Sequence, residues 1–543
     1  MIKTGGSLTG GLLEYVITNH RWLLCIFFLL PMSVVFELYL YLRNLRAFWA
    51  INRKEAKLGE KGSNGKPVLG DRHQRRVQAV QKEVRAWEED GCPGTMCTAR
   101  PGWQTMSLRE GKYKKTSRNI HLDDFVDILE VNTERKVVRV EPMVTMGQLT
   151  GAINPLGWTL PVVPELDDLT IGGLINGVGV ETSSHIHGLF QHICESFEMV
   201  LADGSAVTCS STENQELFYH IPWSHGTLGF LVSATIRMVP CQPYVALEYV
   251  PFRNKKDAIQ LFTEESRKGE PGSSTPPSDF VECLAFGPDE YVVMLGNMVS
   301  TQEVKRQKAA GAVVNNIGHY YKPWFFSHVQ GFLDQNVRGV EYVPLRHYYH
   351  RHTRSLFWEI QDIIPFANNP IFRYLLGWMM PPKPSLLKLT QTETLRQLYE
   401  RHHVVQDVLV PIKALGDALS QADSLFRVYP LWLCPMRIPV APDGMGGLIK
   451  PLDDGDEMFV DVGIYGNPDP RTRFEAKKSC RMLESYVIDN KGYQMMYADT
   501  YLTRAEFRKM FDHKTYDKLR KTLPLTSLGL PEIYDKVCKN NRV

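Results

Sequence analysis

Several common ligand motifs are missing from this chain of 543 residues. Its ten cysteines include no Cys-x-x-Cys pair, which argues against a zinc site and favours reduced, mostly buried thiols in a cytosol-facing protein. The chain has 62 lysines and arginines against 60 aspartates and glutamates, so its net charge is small. A chain without a strong excess of positive charge is not expected to bind nucleic acid. The length predicts two or more domains.

A long apolar run stands near the start of the chain. Residues 22–42, WLLCIFFLLPMSVVFELYLYL, contain one charged residue, Glu37. A helix of this length reaches about 30 Å, the thickness of a bilayer core. A cleaved signal peptide and a membrane hairpin are the alternatives, but no small-residue cleavage site follows. We therefore expect a retained transmembrane helix, and the basic residues that follow it, such as Arg43 and Arg46, place the rest of the chain in the cytosol.

The remaining pattern predicts an α+β fold with a mixed sheet. Residues 1–21 form an N-terminal segment, and the Lys-, Gly- and Glu-rich residues 43–70 form a linker. One face of a following helix carries Val77, Val80, Val84 and Trp87. Strands are predicted at 136–142, 196–209 (a hairpin), 230–240 and 458–466, and helices at 145–153 and 391–420.

The stretch LTIGGLINGVGVETSSH, residues 169–185, is rich in glycine but does not complete a Gly-x-Gly-x-x-Gly motif, because Thr182 stands at the last position. Thr170 is a good N-cap for a short helix whose amides at Gly172 and Gly173 would face an anion. A glycine-rich turn that serves only close packing explains the same letters. From this stretch alone both interpretations stay open.

A second stretch, WSHGTLGF at 223–230, gives these letters a context. Together with PELDDLTIGG at 164–173 it resembles the FAD-binding domain of the vanillyl-alcohol-oxidase (PCMH) type. Within that group the chain is similar to the sterol Δ24-reductase family, in motifs such as YYKPWFF (320–326), LRHYYHRHTRS (345–355) and YQMMYAD (493–499). The resemblance implies a two-subdomain FAD-binding domain at 71–241, an α+β substrate (cap) domain at 242–460, and a C-terminal region at 461–543 that returns to the flavin site.

The resemblance also implies which residues bind FAD. They are Thr170, Ile171, Gly172, Gly173, Leu174, Ile175, Asn176, Gly177, Val178, Gly179, Val180, Glu181 and Thr182. Arg100–Trp103 and Gly226–Gly229 would line the same groove. Many oxidases of this fold hold the flavin covalently through a loop histidine, but the loop CTARPGWQTMS at 97–107 has none. His185 and His187 fit a packing or solvated role better, so we expect non-covalent FAD.

The implied substrate is a sterol with an isolated C24=C25 double bond, as in the conversion of desmosterol to cholesterol. Protonation at C24 and hydride delivery from reduced flavin to C25 avoid an unstabilised carbanion, and NADPH would recharge the flavin. The expected acid or orienting residues are Tyr497, Asp499, Tyr501, Arg346 and His347. Tyr497, Asp499 and Tyr501 would share one face if the chain is extended there. The spacing of His347, His350 and His352 is not that of a zinc pair, so no metal is expected.

The family also implies a cellular setting. We expect the endoplasmic reticulum membrane, with the Golgi as the alternative, a catalytic domain that faces the cytosol, and other enzymes of sterol biosynthesis as partners. NADPH has no recognisable fingerprint in the sequence. The competing functions are a flavin oxidase of the same fold that uses oxygen, and a non-catalytic scaffold that binds flavin or sterol.

Overall fold

The computed structural model describes residues 15–17, 19–39, 42, 68–100, 111–270, 275–388, 390, 392–441 and 445–542. The N-terminal segment up to residue 14, the linker at 43–67 and positions 101–107 of the flavin loop lie outside the described residues. Within them one helix, Arg21–Tyr39, is long and apolar enough to cross a membrane, with a mean hydropathy of 2.0. This N-terminal helix contains a π-helical turn at Cys25–Leu29.

A five-stranded antiparallel sheet forms the first half of the fold. Its strands, in spatial order, are Ile128–Asn132, Val137–Val140, Phe230–Arg237, Cys194–Val200 and Ala206–Ser210. The hairpin predicted at 196–209 and the strands predicted at 136–142 and 230–240 are confirmed. The helix Val68–Glu89 buries Val77, Val80, Val84 and Trp87 against this sheet, so its predicted apolar face is also confirmed.

A nine-stranded sheet forms the second half. Its strands, in spatial order, are Val313–Val314, Gly339–Pro344, Tyr244–Phe252, Glu290–Val299, Phe280–Gly287, Leu431–Arg437, Met458–Gly466, Val404–Pro411 and Tyr493–Gln494. Val313–Val314 pairs in parallel and the other pairs are antiparallel, so the sheet is mixed and the predicted α+β fold is confirmed. The expected domain boundary at residue 460 falls inside the strand Met458–Gly466.

The helix predicted over 391–420 is wrong in its middle part. The structure has a helix at Glu393–His402, a strand at Val404–Pro411 and a second helix at Leu415–Leu425. The strand is buried along nearly its whole length. A strand covered on both faces is an unbroken apolar run, and such a run cannot be distinguished from a buried helix by periodicity alone.

Short helices cover both sheets. They are Met146–Ile153, Ile171–Asn176, Ser184–His187, Gln215–His220, Lys255–Arg267, Thr301–Ala309, Phe325–Gln335, Leu345–Tyr349, Ile360–Ile363, Pro370–Leu376, Pro384–Lys388, Ala476–Asp489, Arg504–Met510, Lys514–Thr522, Thr526–Gly529 and Ile533–Val537. All ten cysteines are free and eight of them are buried, which confirms that the thiols are mostly buried and agrees with a reduced state.

Candidate flavin and proton-donor site

The glycine-rich segment 170–182 starts as a capped helix. Thr170 has extended backbone dihedrals, and its hydroxyl accepts a hydrogen bond from the Gly173 amide at 3.3 Å. The predicted N-cap is therefore confirmed. The expectation that the first amides face an anion is wrong, because Ile171 and Gly172 donate to the carbonyls of Val144 and Pro142. These donors are already satisfied within the protein, so the helix start has little left to offer a phosphate.

The glycines of the segment are required by packing inside the protein. A Cβ on Gly172 would stand 2.7 Å from the Cβ of Pro142, and a Cβ on Gly179 would stand 2.8 Å from the Cβ of Phe190. A Cβ on Gly177 would meet the carbonyl oxygen of Gly173 at 2.8 Å. The packing interpretation therefore holds for these positions, and the close neighbours are protein atoms.

Polar groups open to a ligand lie further along the segment. Among the described residues, the amides of Val178 and Gly179 donate to no acceptor. Asn176 Oδ1 is buried and has no described hydrogen-bond partner. The backbone amide of His225 donates to the Asn176 carbonyl at 2.8 Å, so the stretch 226–229 meets the segment here. Orphaned buried polar groups beside an open glycine, Gly226 at φ +67°, fit a polar ligand such as the pyrophosphate or ring edge of FAD.

Lys536 brings a cation to this groove from the C-terminal region. Its Nζ donates to the His225 carbonyl at 2.5 Å and lies 5.1 Å from the centre of the Tyr113 ring. A Cβ on Gly226 would be 3.8 Å from Lys536 Nζ and 3.9 Å from Asn176 Oδ1. Burial lowers the pKa of Lys536 to about 8, so the side chain is still mostly charged at neutral pH. An ammonium at this position fits an anionic cofactor, and the unpartnered Asn176 oxygen fits a hydrogen-bond donor of the same ligand.

Arg100 and His185 also lie at the segment 170–182, and both are bonded to protein atoms. Arg100 Nη1 donates to the hydroxyl of Thr170 at 3.3 Å, so the first residue of the RPGW motif reaches the segment. His185 is buried, and its Nδ1 and Nε2 each lie 3.0 Å from a backbone carbonyl oxygen, that of Thr182 and that of Ser278, of which the neutral ring can donate to one. Both ring nitrogens face the backbone of the protein, which supports the expectation that His185 does not hold the flavin.

The end of the segment is tied to the nine-stranded sheet by a buried ion cluster. Arg351 Nη2 lies 3.0 Å from a carboxylate oxygen of Glu181 and 2.8 Å from one of Glu282, and all three side chains are fully buried. Thr182 shares a 3.1 Å hydrogen bond with the Tyr348 hydroxyl. The side chains of Glu181 and Thr182 therefore face protein. Their amides are bonded as well, that of Glu181 to the Ser184 hydroxyl and that of Thr182 to the Glu181 carboxylate, so neither residue has a free amide for FAD.

A carboxyl group held by two tyrosines lies on the nine-stranded sheet. The hydroxyls of Tyr465 and Tyr497 both donate to the buried carboxylate of Asp407. Gly463 lies opposite Asp407 on the neighbouring strand, and a Cβ there would stand 2.6 Å from the Tyr465 hydroxyl and 3.0 Å from a carboxylate oxygen of Asp407. Burial raises the pKa of Asp407 to about 7, although the two tyrosine hydrogen bonds work against that rise. Tyr497 as a whole residue is 40% exposed, while its hydroxyl reaches the buried carboxylate of Asp407.

Two further buried carboxyl groups surround this trio. Asp461 has no described hydrogen-bond partner on either oxygen, and burial and the charges of Asp407 and Glu165 raise its pKa. Glu165 precedes the flavin segment, and burial together with the charge of Glu181 raises its pKa to about 8. Carboxyl groups crowded in a dry site cannot all ionise, so this region stores protons at neutral pH.

The other predicted acid or orienting residues have different partners. Asp499 pairs with Lys539 at 3.1 Å, and the amide of Tyr501 donates to Glu484. Arg346 is exposed and lies 3.4 Å from Asp167, while His347 packs against the His319 ring at 5.4 Å.

The three residues of the YADTY stretch are not on one extended face. A turn at 495–498 is closed by the Ala498 amide, which donates to the Met495 carbonyl. Arg542 binds the carbonyls of Met496 and Ala498 and so holds this turn, which directs Tyr497 towards Asp407. The chain is therefore not extended at these residues, and Tyr497, Asp499 and Tyr501 do not share one face.

Sequence reasoning missed Asp407, Asp461 and Tyr465. A signal was present, since VVQDVLVP and MFVDVGIYG each carry a single aspartate inside an apolar run. Burial of an ionised carboxylate costs free energy unless the group has a hydrogen-bond or charge partner, so an aspartate at such a position indicates a specific role.

Glu359, Asp362 and His403 form the group of possible metal ligands found within the described residues, with ligand atoms inside 4.8 Å. The expected absence of a metal remains a prediction.

Comparison with known proteins agrees with the geometry. A family model described as FAD binding domain matches residues 75–210. The chain is 52% identical over 530 residues to the Delta(24)-sterol reductase of Rattus norvegicus, an alignment that covers 98% of this chain and 96% of that protein. It is 40% identical over 519 residues to the Delta(24)-sterol reductase of Arabidopsis thaliana, covering 93% and 89%. It is also 28% identical over 427 residues to the L-gulonolactone oxidase of Mus musculus, covering 77% and 84%.

Proposed function

The chain belongs to the Delta(24)-sterol reductase family, and from that premise we propose that it reduces the C24=C25 double bond of a sterol side chain, as in the conversion of desmosterol to cholesterol, with NADPH as reductant. FAD, when bound and reduced, supplies the hydride chemistry for C25. The observation that carries the proposal is the acid pair of Tyr497 and Asp407, because an isolated double bond needs a positioned proton donor in a dry site.

The proposed proton donor is Tyr497, and Asp407 is its proton reserve. When Asp407 is protonated, its hydroxyl can donate to the Tyr497 oxygen, which leaves the Tyr497 proton free for C24. When Asp407 is ionised, it accepts a hydrogen bond from the Tyr497 hydroxyl, and the proton of that hydroxyl is then held in this bond and is not available to C24. Tyr465, which also donates to Asp407, fixes the orientation of the carboxyl group. We assign Asp499, Tyr501, Arg346 and His347 positioning roles only.

Non-covalent FAD is proposed to bind in the groove between the segment 170–182 and Gly226–Gly229. Its support is the set of unpartnered groups around Asn176, together with the charged Lys536. Precipitation of the protein with acid should release the flavin into the supernatant. Flavin that stays with the precipitate would show a covalent bond and overturn this part of the proposal.

Membrane anchoring through the N-terminal helix is proposed for the endoplasmic reticulum, with the Golgi as the alternative and the catalytic part in the cytosol. Its support is the apolar helix Arg21–Tyr39 and the set of free thiols, which suits a reducing compartment. Association with other enzymes of sterol biosynthesis belongs to the same proposal. The domain boundaries at residues 70, 241 and 460 are likewise proposals.

The direct test uses the purified full-length protein with FAD, NADPH and desmosterol. Mass analysis of the sterol should show the gain of one hydrogen molecule, and omission of NADPH should abolish it. Hydrogen peroxide formed without a nicotinamide would instead favour an oxidase, which the similarity to L-gulonolactone oxidase keeps as a second candidate. Bound FAD without any turnover would favour a scaffold.

The proton donor has its own test. Tyr497→Phe should lose most of its turnover while it keeps a normal flavin content, because only the hydroxyl is removed. Tyr486→Phe is a matched control, since the Tyr486 hydroxyl binds the carbonyl of Ala414 on a different element. Full turnover in Tyr497→Phe would remove this residue from the mechanism.

A further inference from the structure

The N-terminal helix has one face on the protein body and one face in the open. Cys25, Leu29 and Leu30 are buried in the main hydrophobic core. Arg21 donates to the Thr390 hydroxyl at 3.1 Å and to the Leu387 carbonyl at 2.9 Å. The opposite face exposes large apolar side chains: Phe27, Phe28, Met32, Val35 and Leu38. If this helix inserts into a bilayer with its other face on the protein, the protein surface beside it also contacts lipid.

A second element exposes apolar side chains at helical spacing. Ile371, Tyr374, Leu375 and Trp378 follow the i, i+3, i+4, i+7 pattern, and all four are exposed, Ile371 by 72%. The inner face of the same helix, Pro370–Leu376, buries Phe372. A helix beside water would carry polar residues on its outer face, so this inverted pattern marks a surface that meets an apolar partner.

The two elements that carry these faces are in contact. The Trp22 ring of the N-terminal helix lies 5.4 Å from the exposed Phe366 ring, and Phe366 lies 5.8 Å from Phe372 on the inner side of the second helix. The Tyr321 ring stacks on Tyr374 at 5.8 Å. Tyrosine and tryptophan at such positions are typical of the interface between a bilayer and water. We define the outer face of Arg21–Tyr39 together with the outer face of 370–378 as the membrane face.

The N-terminal helix adjoins the flavin segment. Lys383 pairs with Glu37 of the N-terminal helix and, at 2.7 Å, with Asp168 just before the segment. Its amide donates to the Ser33 hydroxyl at 2.9 Å. One lysine therefore joins the N-terminal helix to the residue that stands two positions before the segment proposed to bind FAD.

We propose that the lipid bilayer contacts the whole membrane face, so that the helix Pro370–Leu376 and Trp378 dip into the interface beside the N-terminal helix and sterol enters there. This inference rests on the proposed membrane anchoring. A second copy of the chain is the other occupant that such a face could take. The apolar N-terminal helix, its continuity with Phe366 and the aromatic rim favour lipid.

The test uses the full-length protein in phosphatidylcholine vesicles that carry brominated acyl chains, which quench nearby tryptophan. Part of the fluorescence should be quenched, and that part should shrink in Trp378→Phe. If the protein pellets with the vesicles but Trp378 is not quenched, this inference is overturned while anchoring stands. If the wild type does not pellet with vesicles, anchoring fails and the inference fails with it.

A double variant, Ile371→Ser with Leu375→Ser, tests sterol entry. Its KM for desmosterol in vesicles should rise roughly tenfold, while its KM for cyclodextrin-delivered desmosterol stays unchanged. Leu156→Ser with Leu528→Ser is the matched control, because these two side chains are exposed elsewhere. Equal KM values for both double variants would overturn the inference. So would a wild-type dimer that becomes a monomer in Ile371→Ser with Leu375→Ser, since a second copy would then cover the face.

Discussion

Asp407 carries the clearest expectation for a single residue, because burial raises its pKa to about 7. Proton donation needs the neutral carboxyl group, so turnover should be steady below pH 7 and should fall as the pH rises through the pKa. Asp407→Asn should lower kcat by roughly a hundredfold or more and remove this pH dependence. Steady-state rates at saturating NADPH across pH, with flavin content checked, measure both effects.

Tyr465→Phe tests the role of Asp407 in a second way. It removes one hydrogen bond to Asp407 but leaves Tyr497 in place, so it should keep much of the turnover. Loss of that bond should also raise the pKa of Asp407 and shift the alkaline limb of the profile upwards. An unchanged profile in both variants would contradict the role given to Asp407.

Lys536 gives a second expectation at this scale. Lys536→Met should weaken FAD binding by roughly tenfold, because the charge proposed to face the cofactor is lost. Wild-type affinity should also weaken as the pH rises through about 8, where the ammonium loses its proton. Titration of flavin fluorescence measures both, and Lys518→Met, an exposed residue paired with Glu216, is the control.

The ion cluster of Arg351, Glu181 and Glu282 acts at the scale of elements, since it joins the flavin segment to the nine-stranded sheet. Arg351→Met should cost about 3–5 kcal/mol in the free energy of unfolding, because two carboxylates stay buried without their partner. Arg338→Met, at an exposed pair with Glu248, should cost less than about 1 kcal/mol. Denaturant unfolding compares them, and similar losses would contradict the assigned role.

Local patterns were sufficient for elements whose burial is one-sided. Val77, Val80, Val84 and Trp87 repeat with the helical period, so the sequence predicts their buried face correctly. The strand Val404–Pro411 has no such period because it is covered on both faces. It pairs with Met458–Gly466, a partner about fifty residues away, so its identity depends on contacts that no local pattern records.

The same limit applies to the site. Glycine spacing in the segment 170–182 correctly indicates a tight backbone, but it does not tell whether Phe190 or a ligand fills the gap. The position of Tyr497 depends on a turn held by Arg542, forty-five residues later. Motif similarity points to a region, and only the fold shows which side chains in it meet.

At the scale of the whole molecule, the N-terminal helix is part of the hydrophobic core. Removal of residues 1–39 should therefore lower the melting temperature in a given detergent, since Cys25, Leu29 and Leu30 leave their contacts. Burial of each of the two leucine side chains is worth about 1.5–3 kcal/mol. Differential scanning fluorimetry of the truncated and full-length proteins compares them, and equal melting temperatures would show that the helix is a detachable anchor.

The buried thiols of this chain have a practical consequence for labelling. Burial raises the pKa of Cys194, Cys283 and Cys480, so these groups hold little of the thiolate that reacts with maleimides. Only Cys92 and Cys241 are even partly accessible. A probe attached to one introduced cysteine should therefore be accompanied by little labelling of the native cysteines. Replacement of the native cysteines before labelling should not be necessary.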